Sequence, residues 1–423
     1  MTAPRRPWIT PALLALAIAG PLAAQQQPPQ DTTHRRQQPQ GRISSDQNEE
    51  ADARVNNAPL DPALRGFIML PGTTWKLRIG GYAKTDAMFD TRPAGLPDLF
   101  VTSSIPVGNP PSGESSDFNM HVRQTRLSLE LRRPSALGGD LRAYFEGDLF
   151  GPDGTTAPNL RHAYIQAANV LVGRTFTTFM DVDALPDGVD FEGPSSTVFA
   201  FAAQVRYTRP FGQRWSVAVA AEQPIAELSG LPPGATVSTR WPDLVLRPRY
   251  EAPWGHVQFS AILRDLGYND GVAGSNHTVG YGLQVSSQFD ISAKDNLFAA
   301  GIYGRGFSRF IVDFGGLGLD GALDNTNDLK AIPAYGFYAS LQHLLDTRHR
   351  LVATGSWLRE EPTSSVPVNI SERTMYGALS FIWTPWPTVD IGTTVLYGEN
   401  HTINGAFGHA WRIQTALQLY LAR

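Results

Sequence analysis

From about residue 75 to its last residue the chain is a train of short segments in which apolar and polar side chains alternate, broken by turns rich in Gly, Pro, Asp and Asn. Side chains on a strand project alternately to opposite faces, so in the stretch 141–149 Leu141, Ala143, Phe145 and Leu149 share one face. Arg142, Glu146 and Asp148 share the other. One such segment would also fit a soluble sandwich. Its recurrence, with no intervening run of helical period, is the pattern of a transmembrane β-barrel. In lipid every backbone polar group must find its partner within the protein, and a closed sheet achieves this because it has no edge.

A chain of 423 residues would normally divide into two or more domains, yet no linker interrupts it after residue 75, and one large barrel accounts for the length. The longest apolar run lies at the N-terminus, and no later stretch approaches the roughly 20 apolar residues of a spanning helix. Any membrane crossing is therefore by strands. Cysteine is absent, which excludes thiolate metal sites and fits an envelope protein that closes without disulfides. The formal charge of −4 carries no nucleic-acid footprint.

Arg5 and Arg6 form a positive n-region, Leu13 to Ile18 an apolar h-region and Pro21-Leu22-Ala23-Ala24 a small-residue cleavage site, so residues 1–24 read as a signal peptide for export. Residues 25–65 are rich in Gln, Pro, Asn and charge, which predicts a disordered periplasmic extension. The breakers in Gln37-Gln38-Pro39-Gln40-Gly41 argue against a coiled coil there. The barrel domain is then 66–423.

The alternation predicts strands near 76–89, 119–133, 140–150, 158–168, 170–176, 197–209, 214–223, 241–251, 255–265, 277–291, 295–308, 332–344, 349–360, 371–384, 387–399 and 409–421. Sixteen is even, as a barrel with both termini on one side requires. Short connections such as 210–213, 252–255 and 385–387 read as periplasmic turns, and the long ones at 92–118, 177–196, 227–240 and 309–331 as outer loops. Val279, Tyr281, Leu283, Val285 and Phe289 would face lipid, as would Val389, Ile391, Val395 and Tyr397. Trp215, Trp254, Trp357, Trp383 and Trp386 sit near strand ends, where aromatic girdles form.

The opposite faces carry Lys76, Arg78, Lys84, Arg126, Arg132, Arg142, Arg247, Arg249 and Arg264 against Asp86, Glu130, Glu146, Asp148, Glu222 and Glu251. An Arg or Lys facing lipid at mid-depth costs roughly 2–4 kcal/mol, so these charges predict a polar, open lumen, and sixteen strands leave room for an aqueous channel. Cationic linings select anions, and a guanidinium fork binds carboxylate or phosphate bidentately. Arg78, Lys84, Arg126, Arg142, Arg247, Arg249 and Arg264 are the candidate pore-lining, solute-binding residues. The bland alternative is that they pair with the neighbouring acids and only support the wall. The loop after the fifth strand mixes Asp181, Asp183, Asp187, Asp190 and Glu192 with Phe179, Met180, Leu185, Val189 and Phe191, so it needs an apolar surface to lie against. Folded inward it would constrict the pore, with its acids opposite the basic wall; the alternative is a surface lid or a calcium-binding turn.

The segments Leu77-Arg78-Ile79-Gly80-Gly81-Tyr82-Ala83-Lys84-Thr85-Asp86, Tyr144-Phe145-Glu146-Gly147-Asp148-Leu149-Phe150-Gly151, Leu160-Arg161-His162-Ala163-Tyr164 and Gly173-Arg174-Thr175 through Glu192-Gly193-Pro194 closely resemble DcaP-like outer-membrane porins. The resemblance runs over residues 66 to about 222 and continues as pattern alone. It implies a homotrimer of sixteen-stranded barrels in the outer membrane of a Gram-negative cell, with an arginine-lined, anion-preferring channel for dicarboxylates and similar small acids. Two features depart from the family: the Gln/Pro tract does not look like the N-terminal coiled coil that members often carry, and Tyr420 stands in for the terminal Phe that the barrel assembly machinery usually reads.

An outer-membrane hydrolase is the enzyme alternative, and His162, His256 and His343 are present, but no Gly-x-Ser-x-Gly elbow or Ser/His spacing accompanies them. No catalytic residue is assigned. A plugged structural or adhesive barrel is the third reading. The histidines show no metal-ligand spacing, and Gly315-Gly316-Leu317-Gly318 lies in a loop without opening a helix, so neither a metal nor a cofactor is expected.

Overall fold

The computed structural model describes residues 66–108, 116–135, 140–271, 274–363 and 365–421; the expected signal peptide and extension lie outside them. Sixteen antiparallel strands form the wall: β1 Lys76–Asp90, β2 in two pieces, Asp117–His121 and Arg126–Pro134, β3 Asp140–Phe150, β4 Thr156–Ala167, β5 Val170–Phe176, β6 Phe201–Phe211, β7 Trp215–Glu222, β8 Asp243–Ala252, β9 Gly255–Asn269, β10 Ser275–Asp290, β11 Asp295–Arg305, β12 Pro333–Leu344, β13 His349–Glu360, β14 Ser371–Trp386, β15 Val389–Thr402 and β16 Phe407–Tyr420. Each pairs with the next, and β16 returns to β1 from Tyr420 opposite Tyr82 to Arg412 opposite Asp90, which closes the barrel. The short strand Phe67–Met69 pairs with β1 below that seam, from Phe67 opposite Arg78 to Met69 opposite Lys76.

The expected strands correspond one for one to those observed. The sixth begins at Phe201 instead of 197, because 197–200 still belong to the preceding loop.

The outward positions are apolar and exposed, among them Ile79, Leu127, Phe145, Val285, Phe337 and Leu417. On one rim Trp215, Tyr250, Trp254 and Phe289 follow one another with successive ring centroids 4.8, 6.4 and 5.1 Å apart, the aromatic girdle the sequence predicts.

Gly81 marks the closure seam. Its φ of +115° is open to glycine alone, and a Cβ there would run into the Arg126 carbonyl. Gly81→Ala is expected to cost about 1–3 kcal/mol. It should lower the temperature at which the detergent-folded barrel loses its heat-modifiable gel mobility. Gly355→Ala, where a Cβ meets open space, should leave that temperature unchanged.

The inside departs from the sequence expectation in one large respect. Three of the long loops fold into the barrel, where they cover apolar wall positions as well as charged ones. The loop 177–200 and the loop 306–332 pack together as Phe179, Met180, Phe307, Phe310, Ile311 and Phe314 against Val245, Ile262, Ile302 and Leu358, which point inward from β8, β9, β11 and β13. The first loop places Phe100 and Ile105 against Tyr376, Leu396 and Ala410 on β14 to β16. The lumen is therefore not uniformly polar and open. The stretch 309–331, read from sequence as an outer loop, is part of an interior apolar core, and its short strands Gly321–Leu323 and Leu329–Ala331 pair with each other. The inner face of β1 to β5 is instead lined by buried charged residues, among them Lys84, Arg126, Arg142, Glu146 and Arg161.

Candidate functional site: the constriction of the lumen

The loop 177–200 is fixed at its base by Glu222, whose carboxylate accepts hydrogen bonds from the Thr177 hydroxyl at 2.6 Å and the Thr178 amide at 2.6 Å. Beyond that its acids serve as anchors. Asp181 is fully buried and accepts from Arg249 Nη1 at 3.1 Å and Ser286 Oγ at 2.6 Å, and pairs with His256 Nε2 at 2.8 Å. Asp183 pairs with Arg249 Nη2 at 2.7 Å and Asp187 with Arg350 Nε at 2.6 Å. Tyr376 donates its hydroxyl to Asp190 at 3.1 Å, and Lys84 Nζ reaches the Val189 carbonyl at 3.0 Å. The loop is thus tied to the wall on several sides, and it crosses the bore.

Between its later half and the strands β1 to β5 lies a pocket lined by Tyr82, Arg126, Arg161 and Phe176 on the wall side and by Leu185, Pro186, Asp190, Phe191, Glu192, Pro194 and Phe199 on the loop side. Aromatic rings flank the guanidiniums: the Arg126 guanidinium carbon is 5.5 Å from the ring centroids of both Tyr82 and Phe191, and that of Arg161 is 4.9 Å from Phe201 and 5.7 Å from Phe191. Arg161 also pairs with Glu146 at 3.1 Å and Asp148 at 3.0 Å. Burial raises the Asp190 carboxyl to about 6. Burial, and then the neighbouring Asp190 and Asp313 carboxylates, raise that of Glu192 to about 8.

The sequence-derived candidates divide into two groups. Lys84 and Arg126 stand at the constriction. Arg142 and Arg78 sit on the same wall, where Arg142 at 2.7 Å, Arg78 at 2.8 Å and Arg132 at 2.5 Å converge on Glu130. Arg249, by contrast, is engaged by Asp181, Asp183 and Glu251 and holds the loop. Arg264 is fully buried and pairs with Asp243 at 3.2 Å and Asp320 at 2.9 Å, which fastens the loop 306–332. Arg247 is buried on β8, two residues before Arg249.

Arg161 escaped the sequence reading. In strict alternation it shares a face with Ala163 and Ile165, but the register with β3 slips between the Glu146–His162 and Gly147–Leu160 pairs, and Arg161 is the extra residue that the bulge turns inward.

The three histidines singled out from the sequence lie in separate hydrogen-bonding environments. His256 and Ser286 both bond to the same Asp181 oxygen instead of to each other, His162 Nδ1 lies 2.9 Å from Thr175 Oγ1, and His343 pairs with Asp295 at 2.7 Å. Among the described residues no group of acids and histidines is arranged to hold a metal.

The architecture is similar to that of solved channels. It superposes on the crystal structure of the outer membrane channel DcaP of Acinetobacter baumannii with a TM-score of 0.73 at 19% identity, over 84% of this chain and 99% of that one. An anion-selective porin from Comamonas acidovorans gives 0.55 at 11% identity, over 82% and 100%. OmpT, an outer membrane protein of Vibrio cholerae, gives 0.54 at 12% identity, over 83% and 99%. At these identities the likeness is one of fold. No curated protein matches the sequence. A family model described as DcaP outer membrane protein matches residues 70–420. That match spans the whole barrel, so the chain belongs to the DcaP outer membrane protein family and is an outer-membrane β-barrel of the porin type.

Proposed function

We propose that the barrel is a passive diffusion channel for small hydrophilic solutes that favours anions, including small organic acids such as dicarboxylates. The observation that carries this reading is the pocket between the loop 177–200 and the wall, into which Arg126 and Arg161 both project. The wall around it supports the same sign. Arg78, Lys84, Arg126, Arg132, Arg142 and Arg161 are opposed there by fewer carboxylates, Asp86, Glu130, Glu146 and Asp148. In this reading Arg78, Lys84, Arg126, Arg142 and Arg161 meet the solute, whereas Arg249 and Arg264 serve the loops. Residues 1–24 act as the export signal and 25–65 as a periplasmic extension.

The chain is further proposed to assemble as a homotrimer through the outer face of β4 to β6. Arg174 sits on that face beside Val172, its guanidinium carbon 5.4 Å from the Phe201 ring centroid, and a protein neighbour would cover it at lower cost than acyl chains.

The reversal potential of purified channels in a potassium chloride gradient tests the reading: chloride should carry most of the current, and a cation-directed potential would refute it. A pH dependence follows. Asp190 and Glu192 are neutral below about 6 and 8 and charged above. Anion preference should therefore fall as pH rises from 5 to 9, and Glu192→Gln should flatten the upper part of that curve.

A further inference from the structure

The outside of the barrel changes character at one end of β13 to β16. This is the rim at which β14 begins and β15 ends, opposite the rim where the last strand stops, so it lies at the outer leaflet. Outward positions there carry Arg359, Glu372, Arg373, Glu399, His401 and His409. Farther down β14 to β16 they are Met375, Leu379, Val395, Ile413 and Leu417, all exposed. This surface is separated from the outer face of β4 to β6 by β1 to β3 on one side and by β7 to β12 on the other, so lipid is its neighbour.

The charges at the rim are not balanced within the protein. Arg359 and Arg373 stand directly opposite each other in the register of β13 and β14, and like charges so placed destabilise a sheet unless an anion joins them. Glu372 takes Arg359 at 3.0 Å. Glu399 accepts from the Tyr397 hydroxyl at 2.7 Å and pairs with His401 Nε2 at 3.3 Å. Among the described residues Arg373 forms no ion pair with a carboxylate, and it donates instead to His401 Nδ1 at 3.1 Å. Arg92, just beyond the end of β1, likewise donates to His409 Nε2 at 3.3 Å. Two imidazoles thus orient two guanidiniums that are about two interstrand spacings, or roughly 10 Å, apart. Beside them Tyr397 packs on Trp411 and His409, with ring centroids 4.7 and 6.3 Å away.

An occupant that satisfies all of this carries two anionic groups about a disaccharide apart, a body that can lie on rings, and acyl chains to run down the apolar strip. Guanidiniums bind phosphate oxygens bidentately, and basic clusters at headgroup depth recognise phosphorylated lipids. We propose that the outer rim of β14 to β16 is a binding site for lipid A, the bisphosphorylated, multiply acylated disaccharide of the outer leaflet. Arg373 and Arg92 each take one phosphate, and acyl chains lie along Met375, Leu379, Val395 and Ile413. The site is independent of the selectivity of the pore.

The test uses the folded full-length protein in detergent micelles with one of three lipids added: bisphosphorylated lipid A, lipid A stripped of both phosphates, or phosphatidylglycerol. Native mass spectrometry reads the apparent dissociation constant of each. Bisphosphorylated lipid A is expected to bind about tenfold or more tightly than either of the others. Arg373→Gln should weaken its binding about fivefold, and Arg92→Gln combined with it roughly 25-fold. Arg348→Gln, at an exposed position in the turn after β12 on the opposite rim, should leave it unchanged. Stripped lipid A or phosphatidylglycerol bound as tightly as bisphosphorylated lipid A would overturn the proposal. So would a folded Arg92→Gln, Arg373→Gln double variant of unchanged affinity, or a loss in Arg348→Gln equal to that in Arg373→Gln. The three lipids compared on the unmodified protein decide the matter alone if a variant lacks the heat-modifiable mobility of a closed barrel.

Discussion

Replacing Arg126 and Arg161 together by glutamine is expected to move the reversal potential in a potassium chloride gradient toward zero or past it. Both guanidiniums line the constriction, where no permeating ion can stay far from them. A unit charge at about 4 Å is worth on the order of 1 kcal/mol even at the dielectric of bulk water, and more where the wall excludes water. Loss of each should therefore lower the anion-to-cation permeability ratio by roughly fivefold or more. The effect goes beyond simple subtraction, because Glu146 and Asp148, which Arg161 now holds at 3.1 and 3.0 Å, would be released toward the bore as net negative charge. Arg126→Gln alone leaves those pairs in place and should give a smaller shift. The heat-modifiable mobility of the variants reports whether the barrel has closed. A double variant that is folded and has an unchanged reversal potential would show that selectivity is decided elsewhere along the bore.

That choice of arginines marks where the sequence stops being a guide. The wall was legible because its physics is local and repeats every two residues: lipid outside, water or protein inside, and a turn each time the chain reaches a rim. Leu141, Ala143 and Phe145 against Arg142, Glu146 and Asp148 state the rule, and the barrel follows it except where the register slips, as on β4 and β14. The loop 177–200 was legible for a related reason, since acids interleaved with Phe179, Met180 and Leu185 need a surface.

The bore was less legible, because what fills it is decided by contacts between residues far apart in the chain. Val245, Ile262, Ile302 and Leu358 fall on the inward face by alternation, but their purpose appears only once Phe307, Phe310 and Phe314 are seen packed on them. Arg249 carries the same charge on the same face as Arg126, and alternation cannot tell an arginine that pairs with loop acids from one that lines the pocket. Arg161 was hidden by a single-residue slip of register.

The same distinction predicts a different phenotype for Arg249. Its guanidinium is shared among Asp181 at 3.1 Å, Asp183 at 2.7 Å and Glu251 at 2.5 Å, with Asp181 and Asp183 both on the constriction loop. Arg249→Ala would leave those carboxylates crowded together without the guanidinium that now bridges them. Removing one partner of a buried ion pair typically costs about 3–5 kcal/mol. The barrel wall does not depend on this pair, since the β8 ladder runs through backbone groups on both sides. The cost should therefore appear as loosening of the loop between Met180 and Ala184, and not as failure to fold. The rest of the loop keeps the Asp187–Arg350 pair at 2.6 Å and the Tyr338 hydroxyl on the Ala184 carbonyl at 3.0 Å, so it should fluctuate and not leave the bore. Single-channel recordings are expected to show a higher mean conductance and several-fold greater open-channel noise, with anion preference largely retained because Arg126 and Arg161 remain. Adding Arg350→Ala should enlarge both effects, since it removes the next anchor along the loop. Quiet traces of unmodified conductance from a folded double variant would mean that Phe179, Met180 and their apolar neighbours hold the loop without help from its charges.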